Sequence, residues 1–153
     1  MGLQNIKHIA VATPLAFIAM AAVHAQTCPT VSGDTTITSS CSTGIVWTGG
    51  NLTIGIPTSG SVSVSNLGEA ISGSGVLGFL KNTSTGSISS SGTANGISNS
   101  GTITTLNNSG TISTPLWDAI SNQGTIRSLI NSHVISGLYY GIANNSGEIG
   151  EIN

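Results

Sequence analysis

One phrase, Asn, a small or polar residue, usually Gly, and then Ile, constrains this chain more than any other feature. It opens at Asn99, Asn108, Asn122, Asn131 and Asn145, in steps that alternate between 9 and 14 residues, so the full period is 23. The aliphatic residues keep the same beat: Ile103, Ile112, Ile126, Ile135 and Ile149 repeat those steps. Leu106, Leu129 and Ile152 are also 23 apart, and Ile97, Ile120 and Ile142 follow at 23 and then 22. Such a period marks a unit stacked on copies of itself. The repeated segments are short, rich in Thr, Ile and Ser, and interrupted by Asn and Gly, which is the chemistry of strands and turns and leaves no room for an ordinary helix. The expected fold is all-β: a parallel β-helix with coils of about 23 residues, each about 4.8 Å above the last.

Within that fold the phrase has a physical reading. Asn and Gly accept the left-handed backbone of tight corners, and Asn side chains at one corner can hydrogen-bond from coil to coil. The expected ladder is Asn99, Asn108, Asn122, Asn131 and Asn145, with Ile103, Ile112, Ile126, Ile135 and Ile149 inside it. Ile103 and Leu106 are three apart, so a bend between them is expected to turn both inward. Charged residues make up only 5% of the chain. A parallel stack accounts for this, because like charges directly opposite one another are destabilising.

The period loosens toward the N-terminus, where Ile71 and Ile97, and Leu80 and Leu106, are 26 apart; residues 66–98 are read as degenerate coils and 99–153 as regular ones, open at the C-terminus. Alternation in "NLTIGI" from Asn51 and "SVSVS" from Ser61 predicts half-buried strands. With Trp47 and the two cysteines, residues 26–65 are expected to cap the column, since solenoids need an atypical end unit. Residues 1–25 read as a helical signal peptide: Lys7, the apolar run Ile9–Ala22, then small residues before a cut between Ala25 and Gln26. Export to an oxidising compartment favours a Cys28–Cys41 disulfide.

Several function classes fit poorly. Lys7, Lys81 and Arg127 are the only permanent cations, too few to grip nucleic acid. After cleavage the acids are Asp34, Glu69, Asp118, Glu148 and Glu151, and His133 is the one histidine, standing in the Gly slot of its repeat. No glycine-framed nucleophile surrounds any serine. No catalytic residue, metal ligand or cofactor is expected. A flat ice-binding row is not sustained, because "TIT" at Thr102 becomes "TIS" and then "TIR". One patch stands out. Leu116, Trp117 and Asp118 match Leu138, Tyr139 and Tyr140 at a step of 22. Trp117 and Tyr139 are thus expected to stack, and Leu116, Trp117, Tyr139 and Tyr140 form the candidate contact patch.

The "NSGTI…L.NSGTI" phrasing over 99–153, "GIS" at Gly96, "AIS" at Ala119, "GIA" at Gly141 and "CSTGIVWTGGNLTI" over 41–54 resemble the N-terminal part of a bacterial autotransporter passenger of the pertactin-like adhesin kind. The resemblance implies a right-handed β-helix, exported through the periplasm and displayed outside the outer membrane by type V secretion. It also implies adhesion to a host glycan or surface protein, and a C-terminal translocator barrel as partner. This chain contains no such barrel, so a truncated passenger is expected. The alternatives are a glycan-active β-helix lyase or hydrolase, and a non-functional gene remnant.

Overall fold

The computed structural model describes residues 26–55 and 61–153; the expected signal peptide and its cleavage at Ala25 lie outside these residues. The described residues form strands and no helix, and nearly all strand pairing is parallel between segments one coil apart. The fold is a β-solenoid. One sheet is built on the long strands β3 (Ile45–Ile54) and β5 (Ile71–Asn82). Above β5 each coil contributes a short and a longer strand: β7 (Ile97–Asn99) with β8 (Thr102–Asn108), β10 (Ile120–Asn122) with β11 (Thr125–Asn131), and β13 (Ile142–Asn144) with β14 (Glu148–Ile152). Below β3 lie β1 (Thr30–Val31) and β2 (Thr35–Ile37). A second sheet stacks β4 (Val62–Asn66), β6 (Gly86–Ser90), β9 (Thr111–Ser113) and β12 (Val134–Ser136).

The core consists of columns. Ile45, Ile71, Ile97, Ile120 and Ile142 lie over one another. So do Leu77, Ile103, Ile126 and Ile149, and Leu52, Leu80, Leu106, Leu129 and Ile152. Val64, Ile88, Ile112 and Ile135 make the column of the second sheet. Fully burying one such side chain contributes roughly 1.5–3 kcal/mol. The expected bend is visible in the register: Ile103 and Leu106 are both buried, as are Ile126 and Leu129, and the residue of each pair's interval that leaves the ladder, Thr104 or Arg127, is exposed.

The asparagines form two ladders, one at each corner. Asn82, Asn108 and Asn131 make the first, and Asn99, Asn122 and Asn144 the second. In each, Nδ2 donates to Oδ1 of the coil above: Asn82 to Asn108 at 2.8 Å, Asn108 to Asn131 at 2.8 Å, Asn99 to Asn122 at 2.7 Å, and Asn122 to Asn144 at 2.8 Å. The second Nδ2 hydrogen reaches a main-chain carbonyl of that coil, as from Asn99 to Thr125 O at 3.2 Å. Asn145 is therefore not the ladder residue expected from the phrase. The 22-residue step that places Ile142 over Ile120 puts Asn144 over Asn122, and Asn145 lies outside, donating to Ser121 Oγ at 3.2 Å.

The corner chemistry also differs from expectation. Among the described residues positive φ occurs only at Gly44, Gly50 and Gly55, and at no asparagine. The glycines of the phrase are required by close approach instead. A Cβ at Gly101, Gly124 or Gly147 would run into the carbonyl oxygen of Gly75, Gly101 or Gly124 in the coil beneath. Each Asn ends a strand and turns its side chain inward, so its role is the ladder rather than an unusual backbone.

Lower in the column the asparagines disappear. Under Asn82 lie Ile54 and then Ile37; under Asn99 lie Gly73, Trp47 and Val31. Gly73 is where the Trp47 indole needs room, since a Cβ there would overlap the ring. Cys28 and Cys41 are disulfide-bonded with their Cα atoms 5.1 Å apart, and both sit in the core cluster with Val31 and Ile37. The disulfide-bearing stretch thus joins the stack, with Cys41 bridging to Val64 in parallel.

Candidate functional site: an aromatic corner

The two sheets are joined at one edge by loops that stack as the strands do. Residues 114–119 lead from β9 to β10, and residues 137–141 lead from β12 to β13 one coil above. Thr114 opens the lower loop. Its hydroxyl donates to Ala94 O at 3.3 Å and accepts from the Leu116 amide at 3.4 Å, which bends the chain outward just before Pro115 and Leu116. The chain returns through Asp118 and Ala119, both buried. The upper loop is held to the lower by main-chain bonds: Leu138 N donates to Trp117 O at 2.9 Å, and Ala119 N donates to Tyr140 O at 3.0 Å. Gly137 permits this approach, because a Cβ there would meet the main-chain atoms of Tyr140, Trp117 and Ala119.

The main chain is therefore fixed while its large side chains point outward. Trp117 is 44% exposed, Tyr139 62% and Tyr140 64%; Leu116 and Leu138 are exposed beside them. Trp117 and Tyr139 touch, with ring centroids 5.7 Å apart and planes at 69°. This is the edge-to-face form of the expected stack, a geometry the ring quadrupoles favour. The sequence-predicted patch is thus brought together: Leu116, Trp117, Tyr139 and Tyr140 occupy adjacent loops.

Two polar residues behind the patch were not anticipated. Asp118 is 8% exposed and lies one coil above Asn95, as the pairing of Gly96 N with Asp118 O at 3.2 Å shows. Asp118 Oδ1 and Asn95 Oδ1 are both buried without a hydrogen-bond partner among the described residues. Each unpaired buried acceptor carries a desolvation cost. Only the coil register reveals the pairing, for the two residues differ and lie in unlike sequence contexts. His133 is exposed in the Gly slot of its corner, its main-chain oxygen accepting from Asn131 Nδ2 at 3.0 Å, and it lies outside the aromatic corner. Among the described residues no group of three or more His, Cys, Asp or Glu side chains could hold a metal ion. No family model matches this chain, and neither a curated protein nor a solved structure matches it.

Proposed function

We propose that this chain is an exported β-solenoid scaffold that makes surface contact through the aromatic corner, in the manner of an autotransporter passenger acting as an adhesin. The observation that carries the reading is the Trp117–Tyr139 pair. Aromatic rings present an apolar face at small loss of side-chain freedom, and they are enriched where proteins meet partners. Here they stand on a main chain pinned by the coil below, so contact requires little ordering of the scaffold. Five large apolar side chains exposed together form a patch, which differs from the scattered apolar residues of an ordinary surface. The partner is a host glycan or surface protein, and the cell-surface location follows from the export signal and the resemblance.

The test replaces the rings and leaves the loops. Trp117→Ala with Tyr139→Ala is expected to retain the β-sheet circular dichroism of the parent and to lose binding to host cells or immobilised glycans by about tenfold or more. Undiminished binding by a folded double variant would remove the patch from the function.

A further inference from the structure

We propose that the groove along the flank of the column at Thr102, Thr125, Arg127, Glu148 and Gly150 is a binding site for a neutral saccharide, held through neighbouring ring hydroxyls. Thr102, Thr125 and Glu148 lie over one another on three successive coils, so the groove runs alongside the stack and not across an end of it. Arg127 enters from the bend, where it leaves the ladder between Ile126 and Ser128. Gly150 stands in the coil above it without a side chain, and a Cβ there would run into the Arg127 carbonyl oxygen. The space so left measures about 460 Å³, within the roughly 300–1,000 Å³ usual for small-ligand sites.

Its walls hold side-chain groups that the fold does not use. Among the described residues, the Thr102 and Thr125 hydroxyls, the Arg127 guanidinium and the Glu148 carboxylate make no hydrogen bond or ion pair. By contrast, the Asp34 carboxylate accepts from Asn51 and that of Glu151 from Ser128. The main chain beneath the four groups is fixed: Thr125 N donates to Gly101 O and Glu148 N to Gly124 O, each at 2.8 Å. A ligand therefore meets them with little ordering of the backbone.

The pairing of a guanidinium with a carboxylate selects the ligand. A guanidinium only donates and a carboxylate only accepts, whereas a hydroxyl does both. A carboxylate ligand would satisfy Arg127 and be repelled by Glu148, and an ammonium ligand would meet the reverse. The groove carries no net charge, so a neutral ligand enters without either penalty. Neighbouring hydroxyls on a sugar ring accept from Arg127 and donate to Glu148, and the two threonine hydroxyls take either role. Aromatic side chains are absent from the lining among the described residues, so hydrogen bonds carry the recognition. Their exchange with water sets the expected dissociation constant on the order of 1 mM. The lining shares no residue with the aromatic corner, and the site does not depend on it.

The probes are maltose, lactose and cellobiose, titrated into the disulfide-bonded chain and followed by amide chemical shifts in NMR. At least one is expected to shift the Thr102, Thr125, Arg127, Glu148 and Gly150 amides along a saturable curve. Arg127→Ala and Glu148→Ala lie at exposed positions, so both should keep the β-sheet dichroism. Each is expected to weaken that binding about tenfold or more. Trp117→Ala with Tyr139→Ala is expected to leave it unchanged, and sodium acetate and methylammonium chloride serve as charged controls. Four results would overturn the proposal: no saturable shift at these amides with any of the three sugars, undiminished binding by either folded groove variant, lost binding in the folded aromatic variant, or tighter binding of either charged control than of the sugars.

Discussion

Asn122→Ala is the sharpest test of the ladders. The side chain is fully buried and makes four bonds. Its Oδ1 accepts from Asn99 Nδ2 at 2.7 Å, and its Nδ2 donates to Asn144 Oδ1 at 2.8 Å, Glu148 O at 3.1 Å and Gly124 O at 3.2 Å. These losses are unequal. Gly124 O keeps the Glu148 amide at 2.8 Å, and Asn144 is exposed, so water can replace its lost donor. Asn99 Nδ2 is fully buried and keeps only Thr125 O, leaving one hydrogen without an acceptor. An orphaned buried donor costs about 1–3 kcal/mol, and the remaining bonds about 0.5–1.5 kcal/mol. The expected loss is therefore about 2–4 kcal/mol. Asn144→Ala, at the exposed end of the same ladder, should cost about 1 kcal/mol, and Asn145→Ala, off the ladder, less than that. Asn122→Asp keeps the oxygen facing Asn99 but turns an acceptor toward three others, so it should be at least as damaging as Ala. The assay is urea unfolding of the disulfide-bonded chain followed by far-ultraviolet dichroism. Amide exchange should show lost protection centred on residues 120–125, because each coil contacts only its neighbours. A harmless Asn122→Asp, or an Asn122→Ala no worse than Asn145→Ala, would refute the hydrogen-bond account.

Two further substitutions probe strain and an unmet bond. Gly50 has φ +89°, and a Cβ there would collide with the main chain of Gly33; Gly50→Ala should lower stability by more than the 1–2 kcal/mol or so of left-handed backbone strain, read as a fall in the urea midpoint. Asp118→Asn replaces a buried carboxylate whose Oδ1 has no hydrogen-bond partner among the described residues by a neutral amide, so it should stabilise by about 1 kcal/mol or more, seen as a higher melting midpoint; a lower one would refute that account.

The period was legible because a stacked column demands the same kind of side chain at every level, and the four aliphatic positions per coil record that demand directly. The lower coils were less legible for the same reason. There the corner columns are filled by Ile54, Trp47 and Gly73 in place of asparagine, so the phrase vanishes although the stacking continues. Asn82, which begins one ladder, escaped notice because its neighbour below is Ile54; its Oδ1 is correspondingly buried without a donor. Register was hardest where the step changes. The phrase beginning at Asn145 copies the others in letters, but a coil shortened by one residue places Asn144 on the ladder. The role of the glycines was misread because sequence reveals which residues tolerate a strained backbone and does not reveal how closely two coils approach.

The scarcity of charge takes on a structural meaning once the columns are known. Glu148 stands above Thr125 and Thr102, Glu151 above Ser128 and Thr105, and Lys81 between Thr53 and Asn107. Ser128 Oγ even donates to Glu151 Oε1 at 2.9 Å, and Asp34 accepts from Asn51 Nδ2 at 2.7 Å. Each of these charges has neutral neighbours in the adjoining coils. A charge is therefore tolerated singly within a column, and it is the repetition of one that the stack forbids. The same rule governs the aromatic corner, where Trp117 and Tyr139 occupy one column in successive coils. Rings attract where like charges repel, so a column that excludes repeated carboxylates can still accumulate exposed aromatic surface coil by coil.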